Sequence, residues 1–98
     1  RYPPTVCDPA MAERLAQASR SVLGDAAVVP FEPRMGAEDF AFVLQKVPGA
    51  MLSLGVKAPD WPAPKPVHTA TFDIDESALP IGAACMASVA LEFLETTV

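Results

Sequence analysis

The first quarter of the chain has the pattern of an amphipathic helix. Its apolar positions, three or four residues apart, are Met11, Leu15, Ala18 and Val22. Glu13, Arg14, Gln17 and Arg20 are among the residues between them, as on a surface helix that packs one face against a core. Asp8 followed by Pro9 is typical of a helix start, because the acid caps the first amides and proline has no amide to satisfy. Gly24 is typical of a helix end, so the sequence predicts a helix between Asp8 and Gly24.

Two shorter apolar segments follow. Residues 26–31 fit either a strand or a hinge, and prolines and Gly36 then interrupt regular structure. A second short helix is predicted to begin at Glu38 and Asp39, because acids in the first turn interact favourably with the helix dipole. Its apolar positions are Phe40, Val43, Leu44 and Val47. The proline and glycine at 48–49 are predicted to end it.

Residues 50–55 form a nearly continuous apolar run that ends at a glycine. Such a run predicts a buried strand in a sheet that is covered on both faces. A proline-rich loop occupies residues 59–66, and residues 67–72 are predicted to be extended or irregular.

The last quarter of the chain predicts a long helix that is capped by Asp75 and tolerates Pro80 only if the proline lies within or near the first turn. Residues 81–94 are apolar on most of the helix circumference, so this helix requires neighbours on several sides. One buried strand and one such helix find few partners within the chain. We therefore expect these elements to belong to a larger α/β layer.

Composition supports this expectation. The chain has 98 residues, enough for one domain. Its apolar fraction of 51% and mean hydropathy of +0.28 are high for a small soluble domain, so part of the apolar surface is expected to contact partners. The net charge of -5 argues against a nucleic-acid binder, which usually carries a basic patch.

No membrane span or secretory signal is predicted. The most apolar window, residues 78–94, contains Pro80 and Gly82 and is shorter than the roughly 20 residues that a bilayer requires. Cys7 and Cys85 lie far apart and match neither a CxxC motif nor a disulfide framework. We expect both thiols to be free in a cytoplasmic protein.

His68 is the candidate for metal chemistry, because it is the only histidine and imidazole is the commonest metal-ligating side chain. From the residues alone, a structural or merely exposed role stays open. A zinc site takes three or four protein ligands, and no HExxH or CxxC motif accompanies His68.

The acidic residues allow two interpretations each. Glu38 and Asp39 either complement a helix dipole or face a cleft. Asp73 belongs either to a turn or to the surroundings of a metal site, where it would orient a ligating histidine.

Four segments carry a resemblance to a known family. They are residues 2–10 (YPPTVCDPA), 35–50 (MGAEDFAFVLQKVPGA), 67–73 (VHTATFD) and 75–84 (DESALPIGAA). In order and spacing they resemble the metal-dependent aminoacylase and carboxypeptidase group of amidohydrolases, in its hippurate hydrolase and auxin-amino-acid hydrolase branch. Cys7, Ala37 and Ala70 stand where that family usually has Asn, Ser and Pro, and Cys7 is not the family's ligand cysteine.

The resemblance implies an α/β fold and a C-terminal position in a longer protein. Residues 1–29 would be the end of an inserted ferredoxin-like lid and would include its final strand and helix. This lid domain also mediates dimerisation in the family. Residues 30–98 would be the C-terminal part of a two-metal, aminopeptidase-like catalytic domain. The expected partners are the rest of that domain and a second copy in a homodimer.

The resemblance also implies roles for individual residues. His68 matches a metal ligand of the family, Met35, Gly36 and Glu38 would lie near the substrate, and Asp73 would act behind the ligand. No residue of the chain is expected to be catalytic, since the general base and the other ligands lie upstream in the family. The cofactor would be two divalent metal ions, zinc or manganese, with nickel or cobalt as alternatives.

The implied function is cleavage of the amide bond of N-acyl amino acids, such as hippurate-like substrates, by metal-activated water. The chain alone is expected to be inactive. The alternative is a non-catalytic assembly or binding module that retains the family's framework.

Overall fold

A computed structural model describes residues 1–97 of the chain. These residues form three α-helices: α1, Pro9–Leu23; α2, Phe40–Leu44; and α3, Ala78–Thr97. A single 3₁₀ turn, Asp25–Ala27, follows α1, and residues 28–31, in the segment predicted as a strand or a hinge, have no regular secondary structure. Residues 1–97 contain no β-strand, so the described part of the chain does not by itself form the predicted α/β layout or lid.

The start and end of α1 confirm the sequence prediction. The Asp8 carboxylate accepts a hydrogen bond from the Met11 amide at 2.9 Å, an N-cap contact worth about 1 kcal/mol. Gly24 has φ +88°, where side chains are strained, and its amide donates to the Arg20 carbonyl at 2.7 Å. Local interactions thus fix both ends of the helix.

The core lies where α1 packs against α3. The buried residues of α1 are Leu15, Ala18 and Ser19, and Cys85 of α3 is 3% exposed. The Arg14 guanidinium donates to Glu92 Oε1 at 3.1 Å and to Thr96 Oγ1 at 2.7 Å. These contacts cross the boundary predicted at residue 29, and the division into domains stays a prediction.

The segment predicted as a buried strand follows α2 and forms no ladder within the described residues. Exposure nevertheless alternates along residues 51–58, as in an extended chain that packs one face. Two backbone hydrogen bonds fix its ends, from the Asp8 amide to the Gly49 carbonyl and from the Asp75 amide to the Val56 carbonyl, at 2.8 and 2.7 Å. A β-strand needs a neighbouring strand to complete its hydrogen bonds. No strand among residues 1–97 pairs with this segment.

The inner face of this segment contacts α3 closely. A Cβ atom at Gly82 would lie 2.8 Å from Leu54 Cδ2, so the absence of a side chain lets the helix approach. The chain therefore has one helical layer, and residues 51–58, called the extended segment below, lie against it.

Helix α3 begins at Ala78, three residues after the predicted cap. Pro80 is its third residue and so lies within the first turn, where its missing amide costs no hydrogen bond. Asp75 instead accepts hydrogen bonds from the Ser77 hydroxyl and amide, at 2.7 and 3.0 Å. These contacts hold the pKa of Asp75 below its ordinary value.

One face of α3 is both apolar and uncovered. This face, the outer stripe, comprises Leu79, Ala83, Met86, Ala87, Ala90 and Leu94, all of them exposed. A 19-residue part of the helix, Ala78–Thr96, is apolar and long enough to cross a membrane, with mean hydropathy 1.5. The core helix of a soluble protein passes the same test, so the expected absence of a membrane span stays a prediction.

The described chain is flat and thinly covered. Its radius of gyration is 14.9 Å, above the roughly 13 Å of a compact domain of this length, and its smallest extent is 18 Å. None of the described large side chains is fully buried. An open apolar groove of about 450 Å³ runs between α1, α3 and the extended segment, with Met11, Phe40 and Met86 on its walls.

Candidate functional site

The candidate metal ligand lies in a short turn between the proline-rich loop and α3. This turn, residues 66–72, is called the His68 loop below. Thr69 Oγ1 donates a hydrogen bond to the Pro66 carbonyl at 2.7 Å, and the Thr69 carbonyl accepts one from the Phe72 amide at 3.2 Å. The two bonds close the loop on both sides of Thr69.

His68 has an unusual backbone conformation. Its φ is +64°, and among the described residues no other non-glycine residue has a positive φ. This left-handed conformation costs about 1 kcal/mol or more for a residue with a Cβ atom, although histidine adopts it more often than most. The surrounding hydrogen bonds must therefore hold His68 in place.

The His68 side chain is exposed, and no described residue hydrogen-bonds to its imidazole. A neutral imidazole with a free nitrogen has the chemistry of a metal ligand, so His68 fits one position of a metal site. Within residues 1–97 no three His, Cys, Asp or Glu side chains come together to hold an ion. Other ligands would have to come from elsewhere.

No hydrogen bond or ion pair joins Asp73 to His68 among the described residues. Its Oδ1 accepts the Ile74 amide at 2.8 Å, and its Oδ2 lies 3.9 Å from Lys65 Nζ. The same ammonium lies 4.2 Å from the centre of the Trp61 ring. Asp73 and Lys65 thus link the two ends of the His68 loop, and the role of Asp73 behind a ligand stays a prediction.

The residues predicted to lie near the substrate are exposed and precede α2. Met35 and Gly36 have no regular structure, and the Glu38 carboxylate accepts a hydrogen bond from the Phe40 amide at 2.8 Å. This contact satisfies a free amide at the start of α2, which is the dipole interpretation of Glu38. No hydrogen bond or ion pair in the described chain joins these residues to the His68 loop.

The sequence did not predict the contacts that Thr69 and Lys65 make in and around the His68 loop. A threonine directly after a histidine in a proline-bounded loop is a local signal for a side-chain-to-backbone turn, which could have indicated the Thr69 contact. The Lys65 contacts to Asp73 and Trp61 carry no such signal, because they depend on how the loop folds back.

Comparison with known proteins gives a consistent result. The sequence model of peptidase family M20/M25/M40 matches residues 1–92. An IAA-amino acid hydrolase (ILR1-like 6) of Arabidopsis thaliana is 37% identical over 93 residues, which are 95% of this chain and 20% of that protein. Thermostable carboxypeptidase 1 of Saccharolobus solfataricus is 36% identical over 92 residues, 94% of this chain and 23% of that protein.

A third relative, the putative amidohydrolase YhaA of Bacillus subtilis, is 36% identical over 93 residues, 94% of this chain and 23% of that protein. The chain thus spans about a fifth of the length of the curated relatives that it matches. No solved structure matches it.

Proposed function

Because this chain belongs to peptidase family M20/M25/M40, we propose that it forms the C-terminal part of a metal-dependent amidohydrolase that cleaves N-acyl amino acids. The observation that carries the proposal is the similarity of nearly the whole chain to proteins named as an amino acid hydrolase and an amidohydrolase. The similarity to a carboxypeptidase supports the same chemistry, since both reactions hydrolyse an amide bond next to an amino acid.

In this proposal His68 holds one of two divalent metal ions through a neutral imidazole nitrogen. Its exposure and lack of a described hydrogen-bond partner support that role, because a ligand must have a free nitrogen to offer. Two divalent ions bound there would supply Lewis-acid polarisation of the amide carbonyl and a water molecule of lowered pKa. Met35, Gly36 and Glu38 would lie at the edge of the substrate site.

The remaining ligands and the general base would come from the part of the protein that precedes this chain. The same part would cover the outer stripe of α3, the apolar groove and the open edge of the extended segment. The flat shape and the exposed apolar side chains support this arrangement, because burial of such surface is the main force that joins the parts of a domain.

The proposal is tested by assaying the full-length protein, loaded separately with Zn²⁺, Mn²⁺, Co²⁺ or Ni²⁺. The substrates are N-benzoylglycine, an indole-3-acetyl amino acid and an unacylated dipeptide. We expect hydrolysis of the acylated substrates that a chelator abolishes. We expect the dipeptide to have at least about tenfold lower kcat/KM, because its ammonium would be desolvated where an acyl group binds.

Two outcomes would contradict the proposal. Cleavage of the dipeptide alone would identify a peptidase without the acyl preference. Metal-bound, folded protein that hydrolyses none of the three substrates would favour a non-catalytic module that retains the family framework.

A further inference from the structure

Among the described residues, the Thr69 hydroxyl is the side-chain group that hydrogen-bonds within the His68 loop. It donates to the Pro66 carbonyl at 2.7 Å, the usual length for a hydroxyl donor. The ring that this bond closes contains the backbone of His68. Two bonds meet at Thr69, since its carbonyl also accepts the Phe72 amide.

This bond closes a ring around the one described non-glycine residue that has a positive φ. A histidine at φ +64° lies outside the broad allowed regions, and an unrestrained loop would relax toward negative φ. Such a change rotates the Cα–Cβ bond and carries the imidazole away from its present direction. A ligand must be held to within a few tenths of an ångström for tight metal binding.

We propose that Thr69 is a positioning residue for His68: its hydroxyl holds the loop in the left-handed conformation that aims the imidazole at the metal. This inference rests on the proposed role of His68 as a ligand. It assigns Thr69 no contact with the metal or the substrate. The bond is exposed, so its loss affects the direction of the ligand more than the stability of the fold.

The test compares Thr69→Val with two matched variants in the full-length protein. Thr69→Val keeps the shape and removes the hydroxyl, whereas Thr69→Ser keeps the hydroxyl. Thr71→Val makes the same chemical change at an exposed threonine of the same loop whose hydroxyl has no hydrogen bond in the described chain. His68→Ala is the fourth variant, and it tests the ligand itself.

The measurements are the affinity for Co²⁺, by competition with a chelating dye, and the visible spectrum of the bound ion. We expect Thr69→Val to weaken Co²⁺ binding about tenfold and to change the spectrum, as loss of a group that orients a ligand does. Thr69→Ser and Thr71→Val should stay within about twofold of the unmodified protein. Circular dichroism should show all four variants folded.

Several results separate the two proposals. Unchanged Co²⁺ binding in Thr69→Val, together with its loss in His68→Ala, would overturn the role of Thr69 alone. Equal weakening by Thr69→Val and Thr71→Val would also overturn it. Unchanged Co²⁺ affinity and spectrum in His68→Ala would overturn the proposed ligand, and the role of Thr69 with it.

Discussion

Replacement of His68 by alanine in the full-length protein should lower kcat/KM for N-acyl amino acids by at least about a thousandfold, a loss of about 4 kcal/mol in transition-state stabilisation. The variant loses a direct metal ligand, whereas loss of a group that only orients a ligand already costs about 10- to 100-fold. Metal analysis should find one ion fewer per chain. Steady-state kinetics and metal content measure both effects.

Thr71→Val is the control for this experiment, because it changes the same loop at a position without a side-chain hydrogen bond in the described chain. It should keep activity and metal content. A His68→Ala variant with both ions and activity within about tenfold of normal would remove His68 from the metal site.

The second large effect concerns the outer stripe of α3. Replacement of Ala90 by glutamate in the full-length protein should lower the free energy of unfolding by about 3 kcal/mol or more. If the rest of the catalytic domain covers the stripe, a carboxylate there is buried without a partner. On a solvent-exposed helix the same change costs little, because alanine and glutamate both favour helices. Chemical denaturation measures the difference.

Ala10→Glu is the matched control. Ala10 is exposed in the first turn of α1, on the face that carries Glu13 and Gln17, and an acid there complements the helix dipole. This variant should unfold within about 0.5 kcal/mol of the unmodified protein. If Ala90→Glu is as stable as Ala10→Glu, the stripe faces solvent and the proposed covering is wrong.

The parts of the fold that depend on neighbouring residues follow from the sequence. Asp8, Pro9 and Gly24 mark the ends of α1 because capping is a local interaction, and the structure places the helix between them. The first turn of α3 accommodates Pro80 for the same reason. A cap at Asp75 predicts Glu76 as the first helical residue, two residues early, because Asp75 forms a turn with Ser77 before the helix begins.

The predicted strand shows the limit of this reasoning. The apolar run from residue 50 indicates a segment that belongs in a sheet, and its alternating exposure in the structure has the period of a strand. A ladder, however, depends on a second chain segment, which no local pattern supplies. The close contact between Leu54 and Gly82 is likewise a product of packing that spacing along the chain does not predict.

The role of His68 does not follow from local interactions. Composition and spacing left His68 undecided between a ligand and an exposed side chain, and only the resemblance over four segments assigned it a role. Neither source indicated the left-handed backbone of His68, because that conformation comes from how residues 66–72 turn. The same holds for Asp73, because its contact with Lys65 depends on the loop folding back.

The central claim is that His68 ligates a metal in a centre whose other ligands lie outside this chain. Anomalous X-ray diffraction from crystals of the metal-loaded full-length protein, recorded at the absorption edge of the metal, tests it most directly. We predict an anomalous peak about 2.0–2.2 Å from a ring nitrogen of His68. A metal centre in the same crystals whose ligands do not include His68 would contradict the claim.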